Sequence, residues 1–199
     1  MPRRPLLLTV ALCALPLAAC NNSPEAGQPN TTPASTTPTS TSTASPTPTA
    51  NEEEEGAIAA AKSRYSAARQ AVAVALRHPE RPARATLLQA GNGDPWLISV
   101  LGELRFQSAN GWYQSGNVKV IPISHSVKLK GEQPEVDLVS CLDSSEVVTR
   151  YQSNDKPVPA GPDDGDRHKV LARMVFAPPA GQTTKVWFLV EEKALAGKC

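Results

Sequence analysis

His125 and Asp137 are the two side chains of this sequence whose types and surroundings point to acid–base chemistry. His125 shares a period-two apolar face with Ile121, Ile123 and Val127, which would turn its imidazole inward. If Asp137 on the next strand lay opposite, its carboxylate would orient the imidazole as a general base. Against that pairing, Asp137 alternates with Val136 and Leu138, a pattern that faces it to water while its neighbours face the core. His168, beside Asp166 and Arg167, is expected at a solvated loop end. Asp163, Asp164 and Asp166 lack the further oxygen ligands and terminal Glu of a calcium loop, so they read as an acidic turn and not as a metal site. Neither a Gly-rich phosphate loop nor a local Ser-His-Asp arrangement is present. Tyr65, Trp96, Tyr113 and Trp187 are candidates, with His125, to line a ligand cavity. In a chain with only three Trp, three Tyr and three Phe, most such surface is expected in the core. No cofactor is implied.

The cysteines carry a different chemistry. Arg3 and Arg4 precede an apolar run from Leu6 to Ala19, a charged n-region followed by an h-region too short to span a bilayer. Its ending, Leu17-Ala18-Ala19-Cys20, resembles the lipobox of bacterial lipoproteins. The resemblance implies a signal peptide over residues 1–19, cleavage before Cys20, and a diacylglyceryl group on the Cys20 thiol. The mature chain would then be anchored on the extracytoplasmic face of the cell membrane. Two acyl chains suffice for stable anchoring. Cys13 leaves with the signal, and Cys141 and Cys199 remain as one pair in an oxidising compartment, where a disulfide is expected.

Charge narrows the partners. The chain has 20 Lys and Arg against 19 Asp and Glu, and Arg3 and Arg4 leave with the signal. So even a balance supplies no concentrated cation patch for nucleic acid and no electrostatic adhesion to lipid, leaving the anchor to Cys20. From Asn21 to Ala50 the chain is mostly Thr, Pro and Ser, with Glu25 its only charge. Such a segment buries too little apolar surface to fold, so residues 20–50 read as the lipidated cysteine and a disordered stalk of about 30 Å as a coil or about 90 Å as polyproline II.

Residues 51–199 form one domain's worth of chain. Asn51 with Glu54 makes a capping box for a first helix, whose stripe of Ile58, Ala61, Tyr65, Ala68, Val72 and Leu76 faces the core and which stops ahead of Pro79. A short second helix runs from Pro82 to Ala90, and a third starts at Asp94 as cap with Pro95 first in the helix. After Asn110-Gly111 the period changes to two. Strands are expected over residues 112–130, 135–142, 146–152, 168–176 and 185–191, with a loop over 154–166 and a hairpin at Pro178-Pro179-Ala180-Gly181. Helices first and antiparallel strands afterward predict an α+β fold, three helices packed on a strongly curved, cone-like antiparallel sheet.

This order, with Tyr65 on the long helix and Trp187 on the late hairpin, resembles the nuclear-transport-factor-two-like superfamily. The run from Val136 to Ser144 and the final Cys199 are similar to secreted and lipid-anchored actinobacterial proteins of that fold. Because the superfamily holds isomerases, dehydratases, ligand binders and partner-binding domains, the resemblance does not select a reaction. The expectation is a lipid-anchored binding or interaction module, taking a small hydrophobic ligand or an envelope protein. The alternatives are an isomerase- or hydratase-like enzyme using His125 with a carboxylate, as enzymes of that superfamily place an Asp or His inside the cone, and a structural accessory of an envelope complex.

Overall fold

A computed structural model describes residues 50–159, 166–197 and 199. The expected signal peptide, Cys20, the stalk before Ala50, and Asp163 with Asp164 lie outside the described residues. Among the described residues three helices precede six antiparallel strands, an α+β order as expected.

Helix α1 (Ala50–Arg77) carries Glu52 and Glu53 in its first turn, where its dipole is positive. The helix runs through Asn51, so Asn51 does not cap it. Its stripe of Ala61, Tyr65, Ala68, Val72 and Leu76 is buried as the spacing requires. Helix α2 (Arg84–Ala90) ends at Gly91, whose φ of 104° is a left-handed cap. A side chain there would also collide with Arg64, 2.5 Å from a built Cβ. Helix α3 (Trp96–Ala109) begins after Pro95 without a side-chain cap. Asp94 instead lies 3.5 Å from Arg84 in an exposed ion pair, which corrects its expected capping role.

The expected 112–130 strand is two strands, β1 (Trp112–Ser115) and β2 (Lys119–Lys128). Gly116 breaks them, with φ at 87° and the carbonyl oxygen of Glu146 occupying the space of any Cβ. The remaining strands are β3 (Glu135–Asp143), β4 (Val148–Tyr151), β5 (Arg167–Ala177) and β6 (Val186–Ala194). β1 pairs with β4 in a small sheet, while the larger sheet runs β2-β3-β5-β6. Two bulges set which side chains face inward. Ile123 is the extra residue between Pro122 and Ser124 on β2, and Val190 is the extra residue between Leu189 and Glu191 on β6.

The inner face of the large sheet, including Val136, Leu138, Ala172, Met174 and Leu189, packs on the first half of the α1 stripe. Val72 and Leu76 further along the helix pack with Leu87, Leu97, Val100 and Leu104 of α2 and α3. Each fully buried Val, Leu or Met side chain among them contributes about 1.5–3 kcal/mol, so the helices stay where these two clusters hold them. The segment between α2 and α3 closes the β6 edge: Gly93 N–H donates to the Leu189 carbonyl and Leu189 N–H to the Gly91 carbonyl, both at 2.8 Å. At the other end of β6, Leu195 N–H donates to the Lys169 carbonyl of β5, and the tail reaches β3 through the Cys141–Cys199 disulfide.

Candidate functional site

The interior of the domain is not wholly apolar. Beyond the Val190 bulge, β6 resumes with Glu192 in register with the buried Ala172, so its carboxylate lies under α1. Tyr65 and Arg69, one helical turn apart on the α1 stripe, converge on it. Tyr65 Oη donates to Glu192 Oε2 at 2.7 Å, and Arg69 Nη1 donates to Glu192 Oε1 at 3.2 Å. Burial, followed by the charge and hydrogen bond of Glu192, pushes the Tyr65 hydroxyl far above its ordinary range, with Arg69 opposing. The Arg69 guanidinium carbon lies 6.0 Å from the Trp96 ring centre, and its Nε is buried without an acceptor.

A second polar centre adjoins the first. Trp96 Nε1 donates to Asn92 Oδ1 at 2.9 Å, and Asn92 Nδ2 donates to the carbonyls of Ala68 and Leu87. Asn92 is completely buried, and its side chain ties α1, α2 and α3 to the loop that closes β6.

This cluster can hold charge but leaves little for a substrate. Both oxygens of Glu192 are engaged, and the Tyr65 hydroxyl, which keeps its proton, donates to one of them. The cavities beside it are small: about 30 Å³ next to Tyr65 and about 60 Å³ next to Arg69. Such volumes hold a few waters at most.

His125 and Asp137 are not brought together. Across the β2–β3 ladder His125 stands opposite Leu138, while Asp137 stands opposite Ser126 on the other face. The Ile123 bulge reverses the alternation on which the shared face was read, and both Ile121 and Ile123 become exposed. His125 is exposed too, and Asp137 Oδ1 accepts from Arg173 Nε at 3.2 Å, which corrects the expected dyad. Of the expected cavity-lining aromatics, Tyr65 and Trp96 belong to the polar cluster, and Trp187 lies against Phe176 with ring centres 5.1 Å apart. Tyr113 is elsewhere, on β1, where its hydroxyl donates to Asp155 Oδ1 at 2.6 Å. His168 is the second residue of β5, opposite Leu142, at the start of the strand expected over 168–176.

Asp143 forms a compact anion site of its own. Its Oδ1 accepts from Ser145 N–H and Oγ, and its Oδ2 from Arg167 Nε and Nη2. The Ser145 hydrogen bonds first, and Arg167 after them, pull its pKa down to about 2. The motif closes the turn after β3.

A groove of about 480 Å³ lies at one end of the large sheet. Val175, Phe188 and Val190 form part of its lining, with Leu88 and Pro95 from the helical layer and Pro178-Pro179 from the hairpin. The Arg84–Asp94 pair contributes its charged side chains. Among the described residues no group of three or more His, Cys, Asp or Glu side chains is placed to hold a metal ion, and no helix is long and apolar enough to cross a membrane.

Glu192, Arg69, Asn92 and Arg173 were not foreseen. Arg69 did leave a signal, a cation four positions after Tyr65 within an apolar stripe. Glu192 left none, because strict alternation from Trp187 and Leu189 points to Glu191 as the inward carboxylate.

No family model matches the chain, and no curated protein does. Among solved structures, the intermembrane space region of the chloroplast protein ARC6 superposes with a TM-score of 0.44 at 13% identity, covering 76% of this chain and 100% of that one.

Proposed function

We propose that this chain is a non-catalytic binding or interaction module, held on the extracytoplasmic face of the cell membrane by lipid on Cys20 and built on the nuclear-transport-factor-two-like plan. The anchor rests on the Leu-Ala-Ala-Cys ending of the apolar N-terminal run. The observation that carries the binding reading is a contrast of sites: the interior carboxylate has both oxygens occupied beside cavities of 60 Å³ or less, whereas the groove offers about 480 Å³ with a largely apolar lining. Apolar, concave sites with few polar groups take small hydrophobic ligands or apolar side chains of a partner. The enzyme alternative loses its proposed pair, since His125 and Asp137 lie on opposite faces.

Native mass spectrometry of the protein purified from its own envelope tests this reading. A co-purifying lipid or metabolite that is lost in Ala177→Trp, which fills the groove, supports it; unliganded protein, or a ligand indifferent to that variant, overturns the groove as the site. Fractionating cells that carry Cys20→Ala tests the anchor separately. Processed protein still recovered with membranes sinks the lipid assignment.

A further inference from the structure

The two edges of the large sheet are treated differently. On β6 the 91–93 segment hydrogen-bonds to Leu189 on the outside, in a parallel bridge. On β2 nothing comparable occurs among the described residues: β2 is the terminal strand of the sheet, and none of its backbone groups bonds to any segment but β3. The outward backbone groups of this ten-residue strand, apart from Pro122, which has no N–H, are therefore without a partner among the described residues.

The side chains along this edge are not neutral toward a partner. Ile121 is 44% and Ile123 50% exposed, and the bulge is what turns them outward. Lys119, Lys128 and Lys130 lie on β2 and just past it with no acidic residue between Gly116 and Gly131. Lys62 of α1 borders the same strand, in the small cavity lined by Pro122 and Ser124. Lys119 is matched by Glu146 at 2.5 Å, while Lys62, Lys128 and Lys130 form no ion pair among the described residues. Glu135 stands across from Lys128 on β3 without pairing with it. A strand added outside β2 would lie about 4.8 Å from β2 and twice that from β3, so it would meet Lys128 before Glu135.

Lys, Pro and a bulge on an edge strand are devices against self-association. They act so here: antiparallel pairing of two copies centred between Ile123 and Ser124 would set Lys119 of one opposite Lys128 of the other, a like-charge pair that disfavours a dimer. The same lysines favour a strand of opposite charge, and two exposed isoleucines serve no protective purpose.

We propose that the β2 edge receives an extended segment of a partner protein, one that carries branched apolar residues and carboxylates on the same face, as Ile121 and Lys128 share a face of β2, and adds to the sheet as a further strand. Backbone pairing would supply affinity, Ile121 and Ile123 the apolar contacts, and Lys62, Lys128 and Lys130 the selectivity. The proposal rests on reading the domain as an interaction module and names the chemistry of the partner. It uses a surface other than the groove.

The test uses the detergent-solubilised mature chain and two fluorescein-labelled heptapeptides, Val-Thr-Val-Thr-Glu-Thr-Glu, with Val and Glu on one face, and its counterpart with Lys for each Glu. The acidic peptide should raise anisotropy and slow amide exchange in β2 with no change around Pro178 and Phe188. The double variant Lys128→Glu/Lys130→Glu should weaken it by about fivefold or more and reverse the preference toward the basic peptide. Ile121→Ser/Ile123→Ser, at exposed positions, should weaken both peptides while circular dichroism stays unchanged. No binding, equal binding of the two peptides, protection confined to the groove, or a peptide-independent dimer in sedimentation would each overturn the proposal. A ligand displaced by Ala177→Trp together with a silent β2 edge would leave the groove reading standing alone.

Discussion

Tyr65 Oη lies 2.7 Å from Glu192 Oε2, joining helix α1 to strand β6 across 127 positions of sequence. The contact exists because Val190 is an extra residue in β6, which carries Glu192 to the inner face in place of Glu191. With Arg69 on the other oxygen, the carboxylate is paired and hydrogen-bonded, the condition under which a buried charge is tolerated.

Removing one member of this cluster should therefore cost more than an ordinary surface change. Glu192→Ala leaves Arg69, whose side chain is 15% exposed, without its counter-ion, and should lower unfolding stability by about 3–5 kcal/mol. Tyr65→Phe removes a single hydrogen bond to a charged acceptor and should cost about 1.5–3 kcal/mol. Urea unfolding measures both. Negligible losses in both variants would mean that the cluster does not hold α1 to β6.

The same tyrosine gives a signed pH dependence. Its hydroxyl ionises in the folded protein only far above the unfolded value of 10.0, so its contribution is complete below pH 10.0 and is lost as pH rises beyond it. Above pH 10.0 the stability of the native chain should fall more steeply than that of Tyr65→Phe. Parallel curves from alkaline urea titrations would refute the assignment.

Asp143 works in the opposite direction. Its folded pKa of about 2 lies below the ordinary 3.8, so its stabilisation is present above pH 3.8 and disappears as pH falls through about 2. Asp143→Asn should flatten the stability curve in that window, and Ser145→Ala should move the loss to higher pH. A carboxyl titration by NMR that places Asp143 at 3.8 or above would count against the Ser145 and Arg167 contacts.

Much of this architecture was legible from periodicity. The α1 stripe from Ala61 to Leu76, the Gly91 stop after α2 and the order of strands all follow from local spacing, which tertiary packing here reinforces. The site was less legible, and for a definite reason: each bulge inserts one residue, which reverses every later in-or-out assignment on its strand. Ile123 thus undoes the shared face of Ile121, His125 and Val127, and Val190 hides Glu192. Capping failed at Asp94 because an ion pair with Arg84 occupies it.

Cys141 and Cys199 are joined in the structure, their Cα atoms 5.8 Å apart and 58 positions apart in sequence. A cross-link closing a loop of that length is worth about 4 kcal/mol in the chain-entropy account. The double Cys→Ala variant should keep its fold with stability reduced by up to that amount. Amide exchange should accelerate first at Leu195, whose N–H bond to the Lys169 carbonyl holds the tail against β5. Two titratable thiols in protein isolated without reductant would contradict the pairing.

Asn92 is the residue whose replacement should most loosen the covered edge. It is 0% exposed, its amide donates to two carbonyls on different helices or their ends, and its oxygen accepts from Trp96. Asn92→Leu keeps similar bulk but strips the Ala68 carbonyl and the Trp96 N–H of their partner, a loss of about 2–3 kcal/mol. Asn92→Asp is nearly isosteric yet turns a donor into a second acceptor facing two carbonyl oxygens, and its charge would be wholly buried. If Asn92 served only to shape the turn between α2 and α3, the Asp variant would be close to neutral. Because its side chain is the donor that binds the loop to α1 and α2, Asn92→Asp should be the more destabilising of the two. The Leu189 amide, which donates to Gly91 at 2.8 Å, should then exchange faster in both variants, ahead of the amides that pair β3 with β5. A neutral Asn92→Asp with an unchanged Leu189 amide would show that backbone pairing alone closes the β6 edge.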